Sequence, residues 1–132
     1  MGTFRAMARV LVVDDEAGVR ESLRMLLKDE CEVVTAENVA AARRTLEEFS
    51  PDLILLDLVM PGGNGLELLS HVSEQSDDIP VVVLTATRTV ATAVEAMKLG
   101  AADYITKPFE VDALRIKLRQ LLERRELERE VV

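Results

Sequence analysis

Short apolar runs alternate along the chain with stretches in which apolar residues recur every three or four positions. The runs are Arg9–Val13, Glu32–Ala36, Leu53–Leu56, Val81–Leu84 and Asp103–Ile105. Between them, helical spacing gathers Val19, Leu23, Leu26 and Leu27 on one face, then Val39, Ala42, Leu46 and Phe49, then Leu66, Leu69 and Val72, then Val90, Val94 and Met97. A last helix begins near Glu110 and uses Leu114, Leu118 and Leu121. Strand followed by helix, five times over, predicts βαβ units on a parallel sheet.

The punctuation agrees. Asn38 stands where a cap for the second helix belongs, Ser50-Pro51 ends that helix, Gly62-Gly63-Asn64-Gly65 reads as a loop, and Gly100 follows the fourth helix as a C-terminal cap. The runs LVV, LILL and VVVL are continuously apolar, as strands buried on both faces must be. CEVVTA and ADYIT are more polar and suit sheet edges. Strands one, three and four then lie inside, giving a doubly wound α/β domain of the flavodoxin-like (βα)5 kind, with strand order 2-1-3-4-5.

The polar residues that close the strands carry the candidate chemistry. The first strand ends in Asp14-Asp15-Glu16, the third in Asp57, the fourth in Thr85 and the fifth in Thr106-Lys107-Pro108. Open α/β sheets bind ligands outside the carboxyl ends of their strands, where the strand order reverses. The predicted order puts that point between strands one and three, so Asp14, Asp15 and Asp57 converge there, with Thr85 and Lys107 beyond. Carboxylates crowded in one cleft repel, and a hard divalent cation with oxygen ligands relieves the repulsion. A carboxylate nucleophile, a lysine point charge and a threonine hydroxyl complete an inventory suited to phosphoryl transfer, which runs on positioning and charge stabilisation.

Composition narrows the class. The chain has 132 residues, room for one domain, and apolar residues make up 48%, enough for a core. Aromatics are only 3%, so that core is aliphatic. Sixteen basic residues against 24 acidic ones leave a net charge of −8, which disfavours direct nucleic-acid binding and attraction to anionic membranes. The single cysteine, Cys31, rules out an intrachain disulfide, and the single histidine, His71, rules out a multi-histidine metal site. A reducing, cytoplasmic setting is the expectation, with no apolar run of transmembrane length and no secretory leader. Residues 1–7 read as a tail, and Met7 as an alternative natural start, which would make residues 1–6 an artificial addition.

The segments VLVVDDE, LILLDLVMP, VVLTA and YITKPF resemble the receiver domain of bacterial two-component response regulators, in order and spacing, over residues 8–122. The stretch TVATAVEAMKLGAADYITKPF is most similar to receivers of the nitrogen-regulator, enhancer-binding type. The resemblance implies that Asp57 accepts a phosphoryl group from a sensor histidine kinase. It implies Mg²⁺ (or Mn²⁺) held by Asp14, Asp15, Asp57 and the Val59 carbonyl. Thr85, Lys107 and the Ala86 backbone would contact the phosphoryl group. Thr85 and Tyr104 would form a switch pair, Val59 and Thr87 would tune hydrolysis, and the bond before Pro108 would be cis. The output would be a changed face of the fourth helix, fifth strand and fifth helix, read by an output domain or partner protein, with transcription regulation as the expected end and homodimerisation as an option. Residues 123–132 would extend the last helix or begin a linker.

Bland alternatives exist for each residue. Asp14 and Asp15 could be helix caps, Asp57 a solvated strand end, Thr85 a plain hydroxyl, Lys107 a surface lysine and Tyr104 edge packing. His71 and Cys31 read as structural. An alternative function is an aspartate-nucleophile Mg²⁺-dependent phosphatase of the haloacid-dehalogenase type. That class carries its two aspartates two residues apart after the first strand, whereas Asp14 and Asp15 are adjacent and Asp57 follows the third. A stand-alone or pseudo-receiver acting by protein binding is the other alternative. The switch reading makes the chain an assistant to its own phosphorylation and dephosphorylation rather than a turnover enzyme.

Overall fold

The computed structural model describes residues 7–61, 63–75, 78–86 and 89–130. Its five long strands are β1 (Ala8–Val13), β2 (Cys31–Ala36), β3 (Leu53–Leu56), β4 (Val81–Thr85) and β5 (Asp103–Thr106), and its helices are α1 (Ala17–Leu27), α2 (Val39–Glu48), α3 (Gly65–Gln75), α4 (Val90–Lys98) and α5 (Val111–Glu130). All neighbouring strands pair in parallel, in the order β2-β1-β3-β4-β5. Each strand lies within a residue of the apolar run that predicts it.

Alternation along the strands divides the core. Leu11, Val13, Ile54, Leu56, Val81 and Val83 face one layer with Ala42 of α2, Leu68, Leu69 and Val72 of α3 and Ala96 of α4. Val10, Val12, Leu53, Leu55, Val82 and Leu84 face the other with Leu23 and Leu27 of α1 and Leu114 and Leu118 of α5. Sandwiching leaves β1, β3 and β4 buried on both sides, which is why they are continuously apolar. Among the described residues no helix is long and apolar enough to cross a membrane.

Local capping follows the sequence. Asn38 Oδ1 accepts from Ala41 N–H at 2.8 Å at the start of α2. Gly100, just past α4, has φ +108°, a left-handed conformation in which a side chain would be strained.

Two expectations are corrected. The glycine-rich stretch is no simple loop: Val59–Met60 pairs antiparallel with Gly63–Asn64, and α3 begins at Gly65. Gly62 lies outside the described residues. On α4 the expected inward stripe faces outward, with Val90 78%, Val94 45% and Met97 47% exposed. Small Ala96 faces the core instead, letting the helix approach the sheet closely. Periodicity cannot choose between two apolar stripes on one helix. Arg125 lies late in α5, four residues past Leu121 of the predicted apolar stripe. Its side chain is 12% exposed and bonds Asp52 and Asp78 at the opposite end of the sheet from the strand-end aspartates.

Candidate functional site

Register brings the strand-end residues together. Asp14 N–H donates to Ala36 O at 3.1 Å and Asp57 N–H to Val13 O at 2.9 Å, so the residues following β1 and β3 leave the sheet side by side. Lys107 N–H donates to Thr85 O at 2.9 Å, extending the β4–β5 pairing by one residue. From there the lysine reaches back across the strand ends. Its Nζ donates to Asp14 Oδ2 at 2.7 Å, Asp57 Oδ2 at 3.1 Å and Glu16 Oε1 at 3.2 Å. The Lys107–Pro108 bond is cis.

The remaining carboxylate oxygens are held by local turns. Asp14 Oδ1 accepts from Glu16 N–H at 2.9 Å, and Asp57 Oδ1 from Val59 N–H at 3.0 Å. Asp14 and Asp57 are 2% and 5% exposed and Thr85 is fully buried, so the polar chemistry sits at the edge of the core. Asp15, Glu16, Asp57, Val59, Thr85, Ala86 and Lys107 line a cleft of about 330 Å³. A larger groove of about 740 Å³, lined by Cys31 and Arg125 among others, lies at the far end of the sheet, away from the acidic cluster.

Electrostatics follow from this crowding. Burial pushes the Asp14 carboxyl above its ordinary 3.8, against the pull of its hydrogen bond to Lys107. Burial opposes the charge on Lys107, but hydrogen bonds to Asp14 and Asp57 outweigh it and hold the ammonium well above the usual lysine range. The Tyr104 phenol is raised above 10.0 by burial first and by the Asp57 charge second. One carboxylate oxygen each from Asp14, Asp15, Glu16 and Asp57 lies within 4.8 Å of the others. Four carboxylates against one ammonium leave the cleft negative, and every donor is a hard oxygen. That set fits a small divalent cation such as Mg²⁺.

Residues 10–119 match the family described as response regulator receiver domain. The chain belongs to the response-regulator receiver family. It is 41% identical over 119 residues to the phosphate regulon transcriptional regulatory protein PhoB of Escherichia coli, covering 88% of this chain and 52% of PhoB. It is 40% identical over 121 residues to the response regulator MprA of Mycobacterium ulcerans, covering 91% of this chain and 52% of that protein. Among solved structures, NtrX from Brucella abortus superposes with TM-score 0.88 at 36% identity, over 96% of this chain and 29% of NtrX. The signal receiver domain of a Luxo repressor protein from Vibrio parahaemolyticus superposes at 0.89 with 29% identity, over 96% of this chain and 98% of that one. The receiver therefore spans about half the length of the curated relatives it matches. The likeness to NtrX agrees with the expected kinship to enhancer-binding regulators.

Of the receiver's sequence-predicted site residues, Asp14, Asp15, Asp57, Val59, Thr85, Ala86 and Lys107 come together. Tyr104 lies half-buried on β5, two residues before Thr106, which pairs with Thr85. Thr87 lies outside the described residues. Three residues at the site carry no assignment from sequence reasoning. Glu16 joins the cluster and Lys107, and the acidic triplet already signalled it. Arg20 Nη1 donates to the Asp14 carbonyl at 2.7 Å. Gly65 lies against the backbone of Asp57 and Leu58. The last two depend on which loops meet, and nothing in the spacing marks them.

Proposed function

We propose that the chain is a phosphorylation-controlled switch and that Asp57 is the phosphoryl acceptor. The observation that carries this reading is the Asp57 carboxylate itself: nearly buried, bonded to Lys107 and surrounded by three further carboxylates at a cleft floor. A carboxylate oxygen of Asp57 attacks phosphorus on the kinase's phosphohistidine. The new O–P bond forms as the N–P bond breaks, and the imidazole leaves with the electron pair. Lys107 exchanges carboxylate contacts for phosphoryl oxygens, and the Ala86 N–H and Thr85 hydroxyl are the further donors to them. Asp14, Asp15 and Asp57, with the Val59 carbonyl, would hold Mg²⁺ or Mn²⁺, which neutralises charge on the phosphoryl oxygens.

The phosphoryl group adds roughly 1.5–2 negative charges at the cleft. Thr85 turns toward it, Tyr104 follows inward, and the balance between two pre-existing states shifts. The readout is the α4–β5–α5 face, where Val90, Val94 and Met97 stand exposed. An output domain, a partner protein or a second copy reads that face in the cytoplasm. The matched length and the regulators PhoB and MprA support a receiver unit of about residues 8–122, residues 123–132 leading toward an output that regulates transcription. Val59, and Thr87 by resemblance, set the phosphoryl lifetime.

Incubation with a small acyl phosphate and Mg²⁺, followed by intact-mass measurement, tests the assignment. One phosphoryl group per chain is expected, none without the metal, and none on Asp57→Asn. An Asp57→Asn protein phosphorylated as fully as the parent would overturn it, and turnover of unactivated phosphate monoesters, which are not phosphoryl donors to a switch, would favour a phosphatase.

A further inference from the structure

Arg20 sits one turn inside α1 and is half-buried. Its guanidinium donates at 2.7 Å to a neutral acceptor, the main-chain carbonyl of Asp14. Among the described residues it makes no ion pair with the carboxylates of the cluster. This choice of partner is informative, because a cation serving as a counter-charge would point at a carboxylate.

The carbonyl of Asp14 and the amide of Asp15 belong to one planar peptide unit. Anchoring the oxygen therefore sets the direction in which Asp15 leaves the chain. The unit is bracketed on both sides: Asp14 N–H is tied to Ala36 O, and Glu16 N–H to Asp14 Oδ1. Arg20 also closes the turn from its own backbone, with its N–H donating to Glu16 O at 3.1 Å. Residues 14–16 supply three of the four clustered carboxylates, and Asp15 and Glu16 are exposed. Without an anchor, these two can swing into water and leave the cluster.

We propose that Arg20 is a positioning residue for the cation site, holding the Asp14–Asp15 peptide so that the Asp15 carboxylate stays in the cluster. This rests on reading the cluster as a divalent-cation site. Two effects of Arg20 on cation binding have opposite signs. Its charge repels a cation, so a role in charge alone predicts tighter binding when it is removed. Its hydrogen bond organises a ligand, so the positioning role predicts weaker binding.

Calorimetric titration of the full chain with Mg²⁺ reads the sign directly. Arg20→Met keeps the length of the stem and good helix propensity but loses the donor and the charge. It should bind Mg²⁺ about tenfold more weakly, the scale of one charge-assisted hydrogen bond. Arg20→Lys restores a donor of similar reach and should return to within about threefold of the parent. Melting curves in chelator establish that each variant is folded, and Arg20→Gln serves in place of the Met variant if that one is not. An Arg20→Met protein that binds Mg²⁺ as tightly as the parent, or more tightly, overturns the inference while the cation site stands. A parent chain that binds no Mg²⁺ overturns both.

Discussion

Gly65 opens α3 where that helix crosses the backbone leading out of β3. A methyl group built there would lie 2.6 Å from Leu58 Cα, 2.9 Å from Asp57 O and 3.0 Å from Leu58 O. Ordinary contact begins near 3.4 Å, so the helix start and the 57–58 backbone must separate by about 0.8 Å. All three atoms are main chain, and none can rotate aside. Overpacking of this kind costs about 1–3 kcal/mol. Gaining a better helix former returns at most ~1 kcal/mol, and less at a helix end. Gly65→Ala should therefore lose about 2 kcal/mol and melt roughly 5–10 °C lower. Urea denaturation in chelator, followed by circular dichroism because the chain has no Trp, measures this. Gly18→Ala on α1 is the matched control, since nothing lies within 4 Å of its added methyl. In the first turn of α1 it should be neutral or stabilised by at most about 0.5 kcal/mol. The strain at residue 65 falls on the carbonyl of Asp57, the proposed acceptor, and displacements near 1 Å cost about a hundredfold in rate. Phosphorylation of folded Gly65→Ala should therefore slow well beyond the loss explained by stability. Equal denaturation midpoints for Gly65→Ala and the parent would refute the reasoning.

Other outcomes follow from the same geometry. In the metal-free protein, Asp14→Asn should raise stability at neutral pH. Burial of the ionised Asp14 carboxylate costs more than its hydrogen bond and charge attraction to Lys107 return, and the neutral amide removes that cost. The sign with pH is fixed by the raised carboxyl: ionised Asp14 disfavours the folded state, so its cost is absent below pH 3.8 and grows as pH rises through the folded value. Melts in chelator should show the Asn advantage growing from pH 4 to pH 8, and an advantage largest at pH 4 would contradict this. Arg125→Ala removes a guanidinium bonded to Asp52, to the Asp78 carbonyl at 3.0 Å and to its carboxylate at 3.5 Å. It should cost about 1–3 kcal/mol and speed amide exchange over residues 119–130; unchanged exchange would show that the end of α5 does not depend on it. Val59 is 61% exposed at the cleft, and Val59→Asn should shorten the phosphoryl lifetime by up to about tenfold by adding a hydrogen-bonding group for water. A lifetime unchanged by this substitution would move the water's path elsewhere.

Much of this protein is legible in one dimension because the physics involved is local or periodic. Continuous apolar runs identify β1, β3 and β4 as strands buried on both faces, and the two more polar runs identify the edges. That ordering puts the switch point beside β1 and β3, so Asp14, Asp15, Asp57 and Lys107 can be nominated before any coordinate is known. The cap at Asn38 and the turn at Gly100 depend on neighbours a few residues away and are equally readable. What the tertiary structure alone decided concerns surfaces and pairs far apart in sequence. Val90, Val94 and Met97 have the spacing of a core stripe, and only the docking of α4 through Ala96 turns them to solvent. Arg125 continues the spacing of the α5 apolar stripe, and only the folding of two loops to the sheet's base presents Asp52 and Asp78 to it. Gly65 is ordinary in a glycine-rich stretch until the backbone at Leu58 is laid against it. Hydrophobic periodicity reports that a face is apolar. Which face is covered, and by what, depends on the shape of the partner surface, which exists only once the chain has folded.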